Sequence, residues 1–277
     1  MSLEYLSKGF DWREPAIAEL FDELPLWSSH FGNMILDRIP MRHNMTVLDA
    51  GFGTGFPLIE IAQRLGDSSV VYGIDQWDAA FDRAQRKLDT FKISNVKLFK
   101  GSASGLPFED NFFDYITANL VLNNLDEQDK AVSEFYRVLK TGGSIYITSN
   151  LTGHMQEFYN VFSDTLTELN MNDCKEALQK NIEHRLTADI ISGKLKNAGF
   201  KNLKIEQDKF YMRFADGSAL LNHSFIIIGF IDGWKNIIPG TDKTRFFNRL
   251  EENLNDYSKK HSELKLTIPM VFIEAVK

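Results

Sequence analysis

The chain has one cysteine, Cys174, in 277 residues. That excludes an internal disulfide framework and any metal centre built from several thiolates. Its six histidines fall in no ligand spacing such as H-E-x-x-H, so no metal is expected. No uncharged apolar run approaches the ~20 residues that span a bilayer. The opening residues lack the basic-then-apolar pattern of a secretory leader. A basic half is missing too: residues 1–150 hold 21 acidic and 14 basic side chains, and residues 151–277 hold 17 of each. The net charge of −7 disfavours docking on nucleic acid. Internal repeats, low-complexity tracts and flexible linkers are also absent. A cytoplasmic globular protein is expected, without nucleic-acid partner or membrane span, its oligomeric state left open.

What is present is an ordinary globular composition, 43% hydrophobic and 25% charged, able to bury a substantial core. Residues 12–39 carry Ile17, Leu20, Phe21, Leu24, Trp27, Phe31, Ile35 and Ile39, helical material interrupted near Pro25 and stopped by Pro40. Strands and helices then alternate. Thr46–Ala50 is a strand, and Leu58, Ile61, Ala62 and Leu65 form the i, i+3, i+4, i+7 stripe of a helix. Ser69–Ile74, Val96–Lys100 and Phe112–Ala118 read as further strands. Trp77, Phe81, Ala84, Leu88 and Phe91 mark the helix face between the first two of these. Ala131, Phe135, Val138 and Leu139 define the next helix, with Asp126 as N-cap and Gly142-Gly143 as terminator, before a fifth strand Ser144–Asn150. Thr187 caps a helix to Asn197 with Gly199 at its C′ position. Phe200–Phe210 is a sixth strand, and Leu266–Val276 the last. Such alternation implies an α/β fold, a parallel sheet covered by helices on both faces. Met155–Leu178 and about 212–264 are insertions, so a single domain is expected.

"VLDAGFGTGF" (residues 47–56) carries the chemistry. Gly51, Gly53 and Gly55 follow Asp49 between a strand and a helix, where a side-chain-free turn lets backbone N–H groups approach a ligand. Three readings exist. One is a purely structural turn. Another is the dinucleotide fingerprint G-x-G-x-x-G, which Phe56 breaks at its last position. The third is the D-x-G-x-G-x-G loop, which "DAGFGTG" matches in full. Here the chain resembles the class I S-adenosylmethionine-dependent methyltransferases, most closely the small-molecule enzymes of the ubiquinone/menaquinone type. The resemblance covers residues 46–150 well and residues 187–210 and 266–276 more faintly.

That resemblance implies a doubly wound seven-stranded sheet, Rossmann-like and mostly parallel, with the last strand antiparallel and helical lid insertions. Residues 1–45 would be an N-terminal helical lid, 46–150 the cofactor-binding core, 151–186 a helical insertion, and 187–277 the rest of the sheet. It implies S-adenosylmethionine as cofactor and S-adenosylhomocysteine as product. Asp49 then faces the methionyl ammonium beside Gly51, Gly53 and Gly55. "VVYGIDQW" places Asp75 on both ribose hydroxyls, with Gln76 and Trp77 following. "GSASGLPFEDNFFDYI" places Ser102 and Ala103 on the adenine edge, Ser102 standing where relatives usually have Asp. Asn119 meets the methionine end, and "RVLKTGGSIYIT" resembles the approach to the fifth strand. Trp77 reads equally as core, and Asn119 equally as a turn-former.

A sulfonium methyl is already activated, so alignment and exclusion of water suffice and no catalytic base is obligatory. "NLVLNNL" ends in Asn123 and Asn124 where relatives often carry His, and asparagine is no base at neutral pH. His154 is the candidate proton acceptor, ahead of His30 and His223. The acceptor is expected to be a small organic molecule with an O, N or C nucleophile. Rivals are an aminopropyl transferase of the same fold, a cofactor-binding protein without turnover, and a nicotinamide oxidoreductase. Residues 218–234 hold Leu220, Leu221, Phe225, Ile226, Ile227, Ile228, Phe230, Ile231 and Trp234. With Met155–Leu178 and the Trp27/Phe31 region they read either as extra core or as a roof over an apolar acceptor pocket.

Overall fold

The computed structural model describes residues 3–22 and 26–277. The helix break expected near Pro25, with Leu24 beside it, lies outside the described residues. The chain begins with α1 (Glu4–Ser7), α2 (Pro15–Asp22) and α3 (Ser28–Leu36). Next come β1 (Thr46–Ala50), α4 (Leu58–Leu65), β2 (Val70–Asp75), α5 (Asp78–Phe91), β3 (Val96–Lys100) and β4 (Phe113–Asn119). Then follow α6 (Gln128–Val138), β5 (Leu139–Asn150), α7 (Gln156–Glu168), α8 (Lys175–Glu183), α9 (Ala188–Asn197) and β6 (Lys201–Phe214). The chain closes with α10 (Gly217–Leu221), α11 (Ser224–Gly229), α12 (Ile231–Ile237), α13 (Lys243–His261) and β7 (Leu264–Val276).

The strands make one seven-stranded sheet in the order β3-β2-β1-β4-β5-β7-β6. The pairs among β1 to β5 are parallel, and β7 runs antiparallel to β5. The fold is the doubly wound, mostly parallel sheet with a reversed last strand. Its strand order turns back between β1 and β4, which is where open α/β sheets leave a ligand crevice at their carboxyl ends.

By its contacts the chain gathers into two compact units. The sheet unit holds Asp11–Asn150, Leu186–Asp208 and Met270–Lys277. Its parallel strands are covered on both faces, so they read as near-continuous apolar runs. Val47, Leu48, Ala50, Ile116, Ala118, Ile145 and Ile147 are fully buried. The expected stripe of α4 is buried in full, Leu58, Ile61, Ala62 and Leu65 together. Thr187 caps α9 as read, its hydroxyl accepting from the Ile190 N–H at 3.2 Å, and Gly199 follows at φ +106°.

Three local readings are corrected. Gly142-Gly143 does not end α6; the helix stops at Val138 and the pair lies inside β5. A Cβ on Gly143 would sit 2.8 Å from the Asp114 carbonyl oxygen, so this glycine serves a close backbone approach within a strand. Asp126 is not the N-cap of α6, a position Glu127 takes without a capping bond. Phe91 is 63% exposed rather than part of a buried face, because α5 ends on it.

The helical unit holds Leu151–Arg185 and Lys209–Pro269 with the described residues up to Phe10. The nine large apolar side chains of residues 218–234 are all buried. Packing within the unit accounts for much of this. Trp234 stacks on Phe158 at 4.1 Å between ring centroids, and Phe162 meets Phe246 at 4.6 Å.

Candidate functional site

The carboxyl ends of β1, β2, β3 and β4 surround a cleft of about 250 Å³ within the sheet unit. Gly51, Asp75, Gln76, Trp77, Ser102, Ala103 and Asn119 line it, so seven of the ten predicted binding residues come together. Asp49, Gly53 and Gly55 are not among its walls.

The glycines of the turn have two reasons to be glycine, crowding at Gly51 and Gly55 and backbone conformation at Gly53. A Cβ on Gly51 would stand 2.5 Å from Cγ2 of Val121, and one on Gly55 2.7 Å from Cδ1 of Ile59. Gly53 has φ +53° and open space where a Cβ would go. The expected approach of turn N–H groups to a ligand needs correction at these three positions. Gly51 donates to the Ile74 carbonyl (2.8 Å), Gly55 to the Phe52 carbonyl (2.9 Å) and Gly53 to Oδ2 of Asp75 (2.7 Å). The turn is bonded to itself and to β2, and of its three glycines Gly53 alone has open space before it.

Asp75 is the junction of the site. Besides Gly53, the Trp77 N–H donates to its Oδ1 at 2.8 Å. Burial raises its pKa while the N–H groups of Trp77, Gly53 and Gln76 oppose that rise. Each carboxylate oxygen has two lone pairs, so Asp75 can hold the turn and the start of α5 and still accept from a ligand. Trp77 is held too: its Nε1–H donates to the Trp12 carbonyl at 2.6 Å. Trp12 and Phe21 meet it edge-on at 5.1 and 5.6 Å. It is therefore both a member of an aromatic cluster and a wall of the cleft.

Asp49 is wholly buried on β1. The Thr117 hydroxyl donates to its Oδ1 at 2.6 Å from the register-matched position of β4. Its Oδ2 is buried without a hydrogen-bond partner. Burial chiefly, with the Asp75 charge added, pushes its pKa up to about 7 against the Thr117 bond and the Leu58 N–H at the start of α4. On β4, Asn119 has its side chain engaged: Oδ1 accepts from the Thr148 hydroxyl (2.7 Å), and Nδ2 reaches the Ser28 carbonyl (3.4 Å). Leu120 follows in the left-handed region at φ +61°, unusual for a leucine and typical of strained backbone at binding sites. Ser102 accepts from the Ser104 N–H at 3.2 Å, which leaves its hydroxyl proton to donate.

Asn123 is a clamp rather than a reacting group. It donates to the Asn150 backbone and side-chain carbonyls at 2.8 and 2.9 Å and accepts from the Leu186 N–H at 3.1 Å. His154 belongs to the helical unit, buried beside Tyr159 and Phe230. Burial and the nearby Arg185 hold its pKa well below the ordinary value. His223 is in the same unit, and His30 lies on α3. Among the described residues no three His, Cys, Asp or Glu side chains gather as metal ligands.

Sequence reading missed several participants. Thr117 is visible as the partner of Asp49 only once strand register is known. Lys87 on α5 pairs with Asp22 of α2 and donates to the Thr54 carbonyl of the turn at 2.9 Å. Leu120, Val121, Asn124 and Leu125 also line the cleft. An S-adenosyl ligand suits this donor set. A carboxylate lines the cleft at the end of β2, the acceptor that a diol needs, and Asp49, outside the cleft lining, has a buried Oδ2 without a hydrogen-bond partner. The cavity is small beside the roughly 300–1,000 Å³ of typical ligand pockets, and its mouth is open to solvent.

The model of a family described as "Methyltransferase domain" matches residues 41–211. The demethylmenaquinone methyltransferase of Geobacillus sp. (strain WCH70) is 32% identical over 131 residues, 46% of this chain and 56% of that protein. The Staphylococcus aureus (strain MRSA252) protein of the same name is 34% identical over 140 residues, 50% of this chain and 55% of its own. The ubiquinone/menaquinone biosynthesis C-methyltransferase of Vibrio campbellii is 31% identical over 173 residues, 59% of this chain and 67% of that one. The chain thus spans little more than half the length of the first two. Among solved structures, the YcgJ protein from Bacillus subtilis superposes with a TM-score of 0.59 at 15% identity, covering 90% of this chain and 98% of its own. Haemonchus contortus phosphoethanolamine N-methyltransferase 2, in complex with S-adenosyl-L-methionine, gives 0.54 at 20% identity, covering 89% and 52%. At such identities these two show likeness of fold alone.

Proposed function

The chain belongs to the methyltransferase-domain family, and on that premise we propose that it transfers a methyl group from S-adenosylmethionine to an O, N or C nucleophile of a small organic acceptor. When bound, the cofactor supplies a methyl group already activated on a sulfonium. The protein's work is to bind, align and exclude water, and alignment alone can supply roughly 7–11 kcal/mol of a barrier.

The observation that carries the reading is Asp75. It lines the cleft while being held by the Gly53 and Trp77 N–H groups, which fixes its carboxylate before a ligand arrives. In this reading Asp75 takes the ribose hydroxyls, Asp49 the methionyl ammonium, and the turn at Gly51, Gly53 and Gly55 gives the chain of the ligand room. Gln76, Trp77, Ser102 and Ala103 border the base. The Ser102 hydroxyl, taken by Ser104 as an acceptor, meets the base as a donor or through its second lone pair. Asn119 acts through its backbone, since Thr148 and Ser28 hold its side chain. No side chain is assigned as a base, and no metal is required.

The acceptor belongs to the small-molecule class. A demethylmenaquinone-type acceptor is the first to assay, because relatives carry that name. Among the described residues no helix is long and apolar enough to cross a membrane, and a cytoplasmic location without a nucleic-acid partner completes the proposal. The test is a metabolite screen with methyl-labelled cofactor, paired with calorimetry of S-adenosylhomocysteine. Saturable binding with label transfer supports the reading. Binding without transfer to any small acceptor leaves a non-turnover binder, and absence of binding overturns the cofactor assignment.

A further inference from the structure

Among the described residues, the helical unit contains a part-buried cation without a carboxylate partner. Among the described residues, Arg185 makes one side-chain hydrogen bond, Nη1 to the Asn181 carbonyl at 3.3 Å. A guanidinium carries five N–H donors in a planar fork, so most of its capacity is unused. Burial lowers its pKa, and the group coupled to it is the Tyr159 hydroxyl rather than any acid. Asp232, the acid near in sequence to Trp234, pairs instead with Lys235 at 2.6 Å.

The neighbours add donors and aromatic surface. The Trp234 Nε1–H donates to the Tyr159 oxygen at 3.3 Å, and Tyr159 donates to Oδ1 of Asn181 at 3.3 Å. Those bonds occupy the side-chain acceptors and leave the Nδ2 donors of Asn181, the residue whose backbone carbonyl Arg185 touches. The Phe230 ring lies 5.9 Å from the guanidinium carbon. His154 is buried beside Tyr159, held neutral by burial and by Arg185 itself. A desolvated cation among surplus donors is unfavourable until an anion joins it.

We propose that Arg185 and Asn181 form a binding site for a small aromatic carboxylate, flanked by Phe230. The fork of Arg185 matches the two oxygens of a carboxylate. Aromatic neighbours suit a flat ring, and an apolar setting favours one negative charge over two. The site lies within the helical unit and does not rest on the methyl-transfer reading.

Titration calorimetry on the full-length protein tests it, with benzoate, its neutral isostere benzamide, and inorganic phosphate. The expected result is saturable benzoate binding, with benzamide weaker by roughly tenfold or more, the scale of one charge-assisted hydrogen bond. Arg185→Gln should abolish that discrimination, and Arg185→Lys should keep part of it; melting temperature reports whether either variant is folded. The wild-type comparison needs no variant, so a misfolded variant leaves the test intact. No benzoate binding, equal binding of benzoate and benzamide, or undiminished benzoate binding by folded Arg185→Gln would overturn the site. Phosphate binding more tightly than benzoate would overturn its ligand class. Failure of the wild type to bind S-adenosylhomocysteine would sink the proposed function instead and leave this site standing.

Discussion

Thr117 donates its hydroxyl to Oδ1 of Asp49 at 2.6 Å across the β1–β4 pair, while Oδ2 of the same carboxylate is buried without a partner. Half of this carboxyl group is satisfied by the fold and half is not. Burial disfavours the charged form of this half-satisfied group and pushes the pKa of Asp49 up to about 7.

A stability prediction follows with a definite sign. In the unfolded chain Asp49 loses its proton near pH ~4, and in the folded chain near pH 7. The folded state binds more protons between these limits, so the contribution is fully present below about pH 4 and is lost as pH rises through about 7. Ligand-free wild type should lose stability over that range, with a part due to Asp49 on the order of 2–4 kcal/mol. Asp49→Asn removes this part, so the wild-type minus variant difference should fall as pH rises. Denaturant melts at pH 5 and pH 8 measure it. A difference that does not change with pH would show that the carboxyl group is ionised throughout.

Asp75→Ala should damage two things at once. The glycine turn and the start of α5 lose the acceptor of the Gly53 and Trp77 N–H groups, and the ligand loses two charge-assisted bonds worth about 1.5–3 kcal/mol each. S-adenosylhomocysteine affinity should fall by roughly 10²–10⁴-fold, with a lower melting temperature. Unchanged affinity by calorimetry would remove Asp75 from the ribose.

Much of this was legible because it is local. The stripe of α4, the Thr187 cap and the glycines between β1 and α4 are each written within a few residues. Gly142-Gly143 misleads for the same reason: a glycine pair after a helix resembles a stop signal, and only Asp114, on the neighbouring strand, explains why Gly143 must be bare. The Thr117–Asp49 bond joins residues 68 apart, and Trp77 to Trp12 65 apart. Register and docking decide such pairs, and no periodicity reports them. Likewise the turn showed that N–H groups could approach a ligand, but not that Ile74, Phe52 and Asp75 had already taken those of its glycines.

The turn glycines should separate in their response to alanine. Gly53→Ala places a methyl group in open space at φ +53°, costing about 1–2 kcal/mol of stability for the left-handed backbone. In the proposed function the ligand passes through that space, so cofactor affinity should fall well beyond that. Gly51→Ala meets Val121 at 2.5 Å and should lose stability by overpacking as well, typically about 1–3 kcal/mol more. Thermal melts beside S-adenosylhomocysteine titrations check the contrast. If Gly53→Ala binds as wild type, the open space before it is not where the ligand lies.

Trp12 tests whether Trp77 serves as a wall or only as core. The Trp77 Nε1–H is received by the backbone carbonyl of Trp12, so Trp12→Ala leaves that acceptor in place and removes only the ring that meets Trp77 at 5.1 Å. Trp12 is 40% exposed, so its loss opens no large cavity, and the fold should tolerate the change. An aromatic pair of this kind contributes about 0.5–1.5 kcal/mol. If Trp77 is positioned by it against the ligand, S-adenosylhomocysteine affinity should drop by roughly 2- to 12-fold while the melting temperature moves little. Trp77→Ala, which removes the wall itself, should lose more affinity than Trp12→Ala. Calorimetry on both variants decides: equal and wild-type affinities would make the Trp12–Phe21–Trp77 cluster a packing element that borders the cleft without touching its occupant.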